Sequence, residues 1–201
     1  MKGGAHLAAS TLVAEGKLRP LVIAMPSDGL WGDGSGYLAH GNEDYETWIV
    51  DDVPTAVREV VPSVAEASPL FISGLSMGGY GALRLGAKYA ERFAGISAHS
   101  AITRPEQFSM FVEAPVSEYV CGPAEESDPL YWMKKKRDVL PPLRFDCGLL
   151  DRLLEPNREL HAALTAENMD HIYDEFPGEH CWPYWQEHIY ETLLFVETVM
   201  R

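Results

Sequence analysis

Residues 69–81 read Pro69-Leu70-Phe71-Ile72-Ser73-Gly74-Leu75-Ser76-Met77-Gly78-Gly79-Tyr80-Gly81. An apolar, β-favouring run passes directly into G-x-S-x-G, and the chain from Ala82 to Phe93 then reads as a helix. Small residues two before and two after Ser76 permit a sharp strand-to-helix turn and a close approach of the two elements. The serine oxygen is then lifted above the sheet edge, within reach of a base and of a substrate. The five-residue pattern alone is weak, because Gly and Ser are common. Gly79 and the strand and helix on either side give it weight against the plain alternative, a Gly-rich turn with a bystander serine.

A nucleophile elbow calls for an acid and a histidine further along the chain, in that order. Leu143-Arg144-Phe145-Asp146-Cys147 reads as a buried strand, and Asp151 lies just past its C-terminal end, where ligands gather in open α/β sheets. An acid there can accept the Nδ1 proton of a histidine and stabilise the imidazolium that forms. The bland alternative for Asp151 is a cap on the next helix. Asp146 is the rival acid, ranked lower because it lies inside the strand. The next strand candidate, His171 to Phe176, ends in Pro177-Gly178-Glu179-His180-Cys181-Trp182. His180 thus falls in a loop at the same sheet edge, the position of a general base for Ser76. His161 and His188 fall within helical stretches, His171 begins a strand, and His6, His40 and His99 lie outside the expected place. His99 nevertheless ends a strand and is a candidate to line the pocket.

These motifs together resemble the esterase D-type family of serine esterases in the α/β-hydrolase superfamily, which includes S-formylglutathione hydrolases, feruloyl and acetylxylan esterases and mycolyltransferases. The matching segments are Gly74 to Ala82, Phe145 to Asp151 and Phe176 to Trp182, with a weaker match at Val22 to Gly29 and at Tyr45 to Trp48. The likeness runs over most of the chain and thins between about 103 and 141. It specifies the superfamily and not the ester. It implies Ser76 as nucleophile, Asp151 as acid, His180 as base and the Met77 N–H as an oxyanion donor.

One feature departs from the family. Its members carry a strand ending in His-Gly ahead of the strand that corresponds here to 21–25, lying centrally between 21–25 and 69–73, and the loop after it supplies a second oxyanion N–H. Here the chain starts at Met1-Lys2-Gly3-Gly4, and residues 5–15 read as the end of the first helix. The expectation is an N-terminally shortened chain, or a sheet rebuilt through a partner chain as a homodimer. Loss of one oxyanion donor costs roughly 100- to 1000-fold in turnover.

Sixteen basic against thirty acidic residues give a net charge of −14, which argues against nucleic acid as a partner. No apolar run reaches the roughly 18 residues of a spanning helix, so no membrane partner is expected. The N-terminus has no signal-peptide pattern, and Cys121, Cys147 and Cys181 are odd in number and widely spaced, as for reduced thiols in a cytoplasm. The elbow serine makes a Cys181 nucleophile unnecessary. No cofactor or metal is implied; Asp33 and Asp44 lack EF-hand spacing.

Strands near 21–25, 69–73, 94–98, 142–147 and 171–176 alternate with helices near 5–15, 52–66, 79–90, 156–167 and 184–200. The expected fold is α/β: one α/β-hydrolase domain over 1–201 with a mostly parallel sheet, helices on both faces and N-terminal strands missing. Pro54 suits a helix first turn, with Asp51 or Asp52 as cap. The Gly-rich segment 27–45, with Trp31, Tyr37, His40 and Asn42, is expected to overhang the site. A lid-like insertion at about 101–141 brings Phe108, Met110, Phe111, Tyr119, Tyr131 and Trp132 to build a pocket wall. Trp31 and Trp182 are the substrate-binding candidates. Lys134-Lys135-Lys136-Arg137 reads as a solvated helix end before it reads as an anion site.

The function these features favour is hydrolysis of a small or medium-sized carboxylic ester through an acyl-enzyme. An acyltransferase using the same intermediate is the second reading, and a weakly active or inactive hydrolase fold acting in binding or assembly is the third.

Overall fold

A computed structural model describes residues 3–28, 33–40, 43–119 and 122–201. Four strands, β1 (Phe71–Leu75), β2 (Gly95–His99), β3 (Leu143–Gly148) and β4 (Ile172–Phe176), form a parallel sheet in chain order. The main helices are α1 (Ala5–Ala14), α2 (Val53–Val60), α3 (Met77–Lys88), α4 (Pro129–Lys135), α5 (Leu154–Ala166) and α6 (Trp182–Val199). Parallel neighbours need a crossover between them, and α3 and α5 serve as the crossovers β1–β2 and β3–β4.

β2 and β3 are buried on both faces, and the two faces differ in kind. Ile96, Ala98, Leu143 and Phe145 point into an apolar cluster with Leu83 and Ala87 of α3, Met133 of α4, and Leu160 and Leu164 of α5. The alternate residues Ser97, His99, Arg144 and Asp146 meet α6 in a buried polar network. Asp146 accepts hydrogen bonds from Arg144 Nη2 at 2.6 Å and Tyr184 OH at 2.7 Å, and its Oδ2 lies 2.8 Å from His99 Nδ1. His99 Nε2 contacts Thr192 Oγ1 at 2.7 Å. Strands that alternate apolar and polar normally leave one face wet. Here α6 covers the polar face, and its cost is met by mutual hydrogen bonding.

The expected strand at 21–25 does not form. Residues 19–28 have no ladder partner, and Leu21, Val22 and Met25 are substantially exposed. Only Ile23 of this run packs inward, against the cluster of Ala8, Ala9, Leu12 and Leu193 that joins α1 to α6. A β-favouring run is a strand only when a neighbour pairs with it, and among the described residues nothing pairs with it or with the outer edge of β1. The helix expected over 52–66 ends at Val60, because Pro62 drives Val61 out of the helical region, to φ −123° and ψ 90°. Asp51 and Asp52 do not cap it. The chain enters α2 through a π-helical turn, Trp48–Asp52, and the cap lies further back, where Asp44 accepts the Thr47 N–H at 3.0 Å.

The segment ahead of α2 is fastened to α3 by a buried ion cluster. Arg84, 2% exposed, pairs with Glu46, donates to the Glu126 carbonyl at 2.7 Å and to the Tyr37 carbonyl at 3.2 Å. Lys88 also reaches Glu46, at 2.7 Å. Burial would raise the Glu46 carboxyl, but the Arg84 and Lys88 charges outweigh it and hold it below the usual carboxylate range. Arg84→Ala strands two carbonyls and half of a buried pair. It is expected to destabilise the protein by about 2–4 kcal/mol, measured as a shift of the urea midpoint at unchanged slope. A midpoint within error of the parent would show that Lys88 alone carries the cluster.

Candidate active site

The elbow is built where β1 turns into α3. Ser76 has φ 54° and ψ −119°, a conformation L residues rarely adopt. It is held there from both sides. Its N–H donates to the His99 carbonyl at 3.0 Å, and its carbonyl accepts from Tyr80 at 3.0 Å and Ile102 at 3.2 Å. The glycine before it has a steric reason, since a Cβ on Gly74 would stand 2.0 Å from the Gly78 carbonyl oxygen. A backbone this far from the common regions persists only because the surrounding bonds over-determine it.

The three residues expected to act together meet at this sheet edge. His180 Nε2 lies 2.9 Å from Ser76 Oγ. His180 Nδ1 lies 2.9 and 3.0 Å from the two Asp151 oxygens. Asp151 follows the end of β3, where Leu149 and Leu150 donate to the carbonyls of Phe176 and Gly178 and so lock the β3 exit to the β4 exit. Asp151 also accepts the Leu153 N–H at 2.8 Å, a side-chain turn just ahead of α5, so the carboxylate that meets His180 also fixes the entry to that helix. Burial alone would raise its pKa; the His180 and Leu153 hydrogen bonds prevail and hold it low. Asp146, the rival acid, points to the opposite face of the sheet, into the network under α6.

His180 is boxed by rings. Phe111 stands on one side with centroids 4.9 Å apart, and Trp185 meets it edge-on at 5.0 Å. Trp182, 40% exposed, extends this wall by an edge contact with Trp185 at 5.3 Å. Trp31 and Cys121 lie outside the described residues.

Of the insertion aromatics, only Phe111 faces His180. Phe108 and Tyr119 are buried with Tyr80 and Leu153, and Trp132 packs in the core behind β2 and β3. The basic run is occupied elsewhere: Lys134 pairs with Glu167 at 2.6 Å, Arg137 donates to the Glu167 carbonyl, and Lys135 lies over Trp132. Asp33 accepts the Glu113 N–H at 2.7 Å.

Tyr37 joins the site from the Gly-rich segment, and it too has positive φ, 56°. Its ring covers α3 so closely that a Cβ on Gly81 would fall 2.5 Å from it. Burial and the Asp28 carboxylate raise its phenol to about 12, which keeps it a neutral O–H donor. Trp185 and Arg152 were not singled out as site residues from the sequence, whereas Phe111 was among the aromatics expected to form the pocket wall. Both reach His180 or its ring neighbours through folding, and only Trp185, five residues past the histidine on a helix face, left a local signal.

Burial would raise the Asp146 carboxyl, but His99, Arg144 and Tyr184 hold it below the usual range, as Asp151 and Glu46 are held. Each contributes stability that is present above its unfolded pKa, about 4, and is lost as pH falls through the lower folded value. The melting temperature by calorimetry is therefore expected to drop steeply as pH falls below about 4. A flat profile there would mean these carboxylates are not charged in the native state.

Comparison with known proteins gives a consistent picture. A family model described as "Putative esterase" matches residues 35–196. An acetyl esterase of Caldicellulosiruptor saccharolyticus is 28% identical over 187 residues, spanning 84% of this chain and 69% of that protein. The fluorophosphonate-binding serine hydrolase F of Staphylococcus aureus superposes with a TM-score of 0.70 at 25% identity, over 80% of this chain and 67% of that one. A ferulic acid esterase superposes over 98% of this chain and 78% of its own, with a TM-score of 0.81 at 23% identity, a likeness of fold. No described helix is long and apolar enough to cross a membrane. With a parallel sheet flanked by helices and a family match over most of its length, the chain has the α/β-hydrolase fold, belongs to the "Putative esterase" family and is a serine esterase.

Proposed function

We propose that the protein hydrolyses small carboxylic esters through an acyl-enzyme formed on Ser76. The observation that carries this reading is the chain of contacts from Asp151 through His180 to Ser76, each at 2.9–3.0 Å. Asp151 accepts the Nδ1 proton, which leaves Nε2 free to take the serine proton as Oγ attacks the ester carbonyl. His180 then returns that proton to the leaving alcohol. A water activated by the same nitrogen releases the acid and regenerates the serine.

The tetrahedral oxyanion falls to the Met77 N–H. Met77 opens α3, and the first N–H groups of a helix have no intrahelical partner and carry the positive end of its dipole. Trp182 provides a partly exposed apolar wall for the substrate, and the insertion at about 101–141 acts as a lid that contributes Phe111. The acetyl esterase relative supports a short acyl group.

Labelling with a fluorophosphonate probe, located by peptide mass, tests the reading. The expected result is stoichiometric modification at Ser76 together with steady release of p-nitrophenol from p-nitrophenyl acetate. A folded protein that neither labels nor turns over would overturn it. A burst followed by turnover only on addition of an alcohol would replace hydrolysis with acyl transfer.

A further inference from the structure

Arg152 immediately follows Asp151 and is exposed. Its guanidinium carbon stands 4.8 Å from the centroid of Phe111, the ring that flanks His180. A second restraint fixes it, since Nη1 donates to the Met110 carbonyl at 3.2 Å. The cation is thus held two ring contacts from the base, at the mouth of the site.

Acids outnumber bases thirty to sixteen, and among the described residues most arginines pair with a carboxylate, Arg58 and Arg137 excepted along with Arg152. Among the described residues no carboxylate pairs with Arg152. The two acids nearest in sequence are committed elsewhere, Asp151 to His180 and Glu155 to Arg158. Among the described residues one N–H of the guanidinium is used, and the others have no partner, in the planar fork that suits a carboxylate.

The same mouth has an apolar rim. Leu149, Leu150, Met110 and Trp182 are 43%, 74%, 38% and 40% exposed. A substrate that fits both features has an apolar body and an anionic group remote from the reacting ester. The net charge of −14 does not forbid this, because at physiological salt screening confines the repulsion from distant carboxylates to within about 8 Å.

Resting on the serine-esterase mechanism above, the geometry points to Arg152 as a specificity residue that selects esters bearing a second, ionised carboxylate. Phe111 positions its guanidinium, and the apolar rim takes the body of the substrate.

The test compares matched pairs: 4-acetoxybenzoate with its neutral methyl ester, which varies the alcohol side, and mono-p-nitrophenyl adipate with p-nitrophenyl hexanoate, which varies the acid side. The readout is the anionic-to-neutral ratio of kcat/KM. In Arg152→Gln this ratio is expected to fall about 3- to 10-fold for at least one pair, through KM. Arg152→Lys should restore part of it, Arg152→Glu should depress it further, and added salt should lower the parent ratio.

A ratio unchanged in Arg152→Gln for both pairs overturns the proposal, as does a parallel loss on anionic and neutral esters, which would mark Arg152 as structural. Binding is read separately, by tryptophan fluorescence on Ser76→Ala with and without Arg152→Gln. An Arg152-dependent preference for the anion, found without turnover in the parent, would remove the mechanism and keep the anion site. No such preference removes the anion site whatever the turnover.

Discussion

Replacing Ser76 with alanine is expected to lower kcat on p-nitrophenyl acetate by roughly 10⁵- to 10⁶-fold, to the level set by residual binding. Labelling by a fluorophosphonate probe should vanish with it. The loss should be chemical and not structural. The backbone at 76 is fixed by hydrogen bonds to His99, Tyr80 and Ile102 that alanine keeps. Among the described residues the bond deleted is the one from Oγ to His180, worth about 1 kcal/mol. The melting temperature should therefore move by only a few degrees. Residual turnover within tenfold of the parent would sink the assignment. Probe attached to Cys181 in the variant would show that the thiol beside His180 had been the nucleophile.

The second large effect is expected at the acid. In Asp151→Asn the amide can still accept the Leu153 N–H, so the entry to α5 survives. What changes is the tautomer. An amide N–H facing His180 Nδ1 leaves the ring proton on Nε2, where it blocks proton transfer from Ser76, and kcat should fall roughly 10⁴-fold. Asp146→Asn is the contrasting variant. It leaves Arg144 under α6 with only the more distant Asp174 carboxylate, 4.0 Å away, and is expected to cost about 2–4 kcal/mol of stability, with a much smaller effect on kcat/KM. The reverse pattern, activity lost at Asp146 with stability intact and activity kept at Asp151, would exchange the two acids.

These outcomes bear on what can be read locally. The elbow was legible because its chemistry is written in contiguous residues: a β-favouring run, glycines at the close approaches, then a helix. The exits of β3 and β4 were legible for the same reason, since a strand followed by a turn places the next polar residue at the sheet edge. Strand bounds differed from expectation by two residues or fewer for the four strands that form. The run at 21–25 failed because pairing is not a local property. Its valine and isoleucine favour a strand, but a ladder needs a neighbour that no window of sequence supplies. The early end of α2 was there to be read in Pro62, and the distant cap at Asp44 was not, because a π-helical turn lies between them.

The sequence by itself determined the α/β alternation, the tight turn at Ser76 between strand and helix, and the placing of an acid and then His180 at the exits of the two later strands. These follow from periodicity, turn chemistry and steric need, which act over a few residues. Only the tertiary structure decided which acid faces the histidine, since Asp146 and Asp151 differ by the side of the sheet on which they emerge. It also decided which aromatic of the insertion reaches the site, that the polar face of β2 and β3 is buried under α6, and that Arg152 stands against Phe111 without a carboxylate partner. Those outcomes depend on contacts between segments tens of residues apart, whose geometry is set by packing and mutual hydrogen bonding once the sheet has assembled.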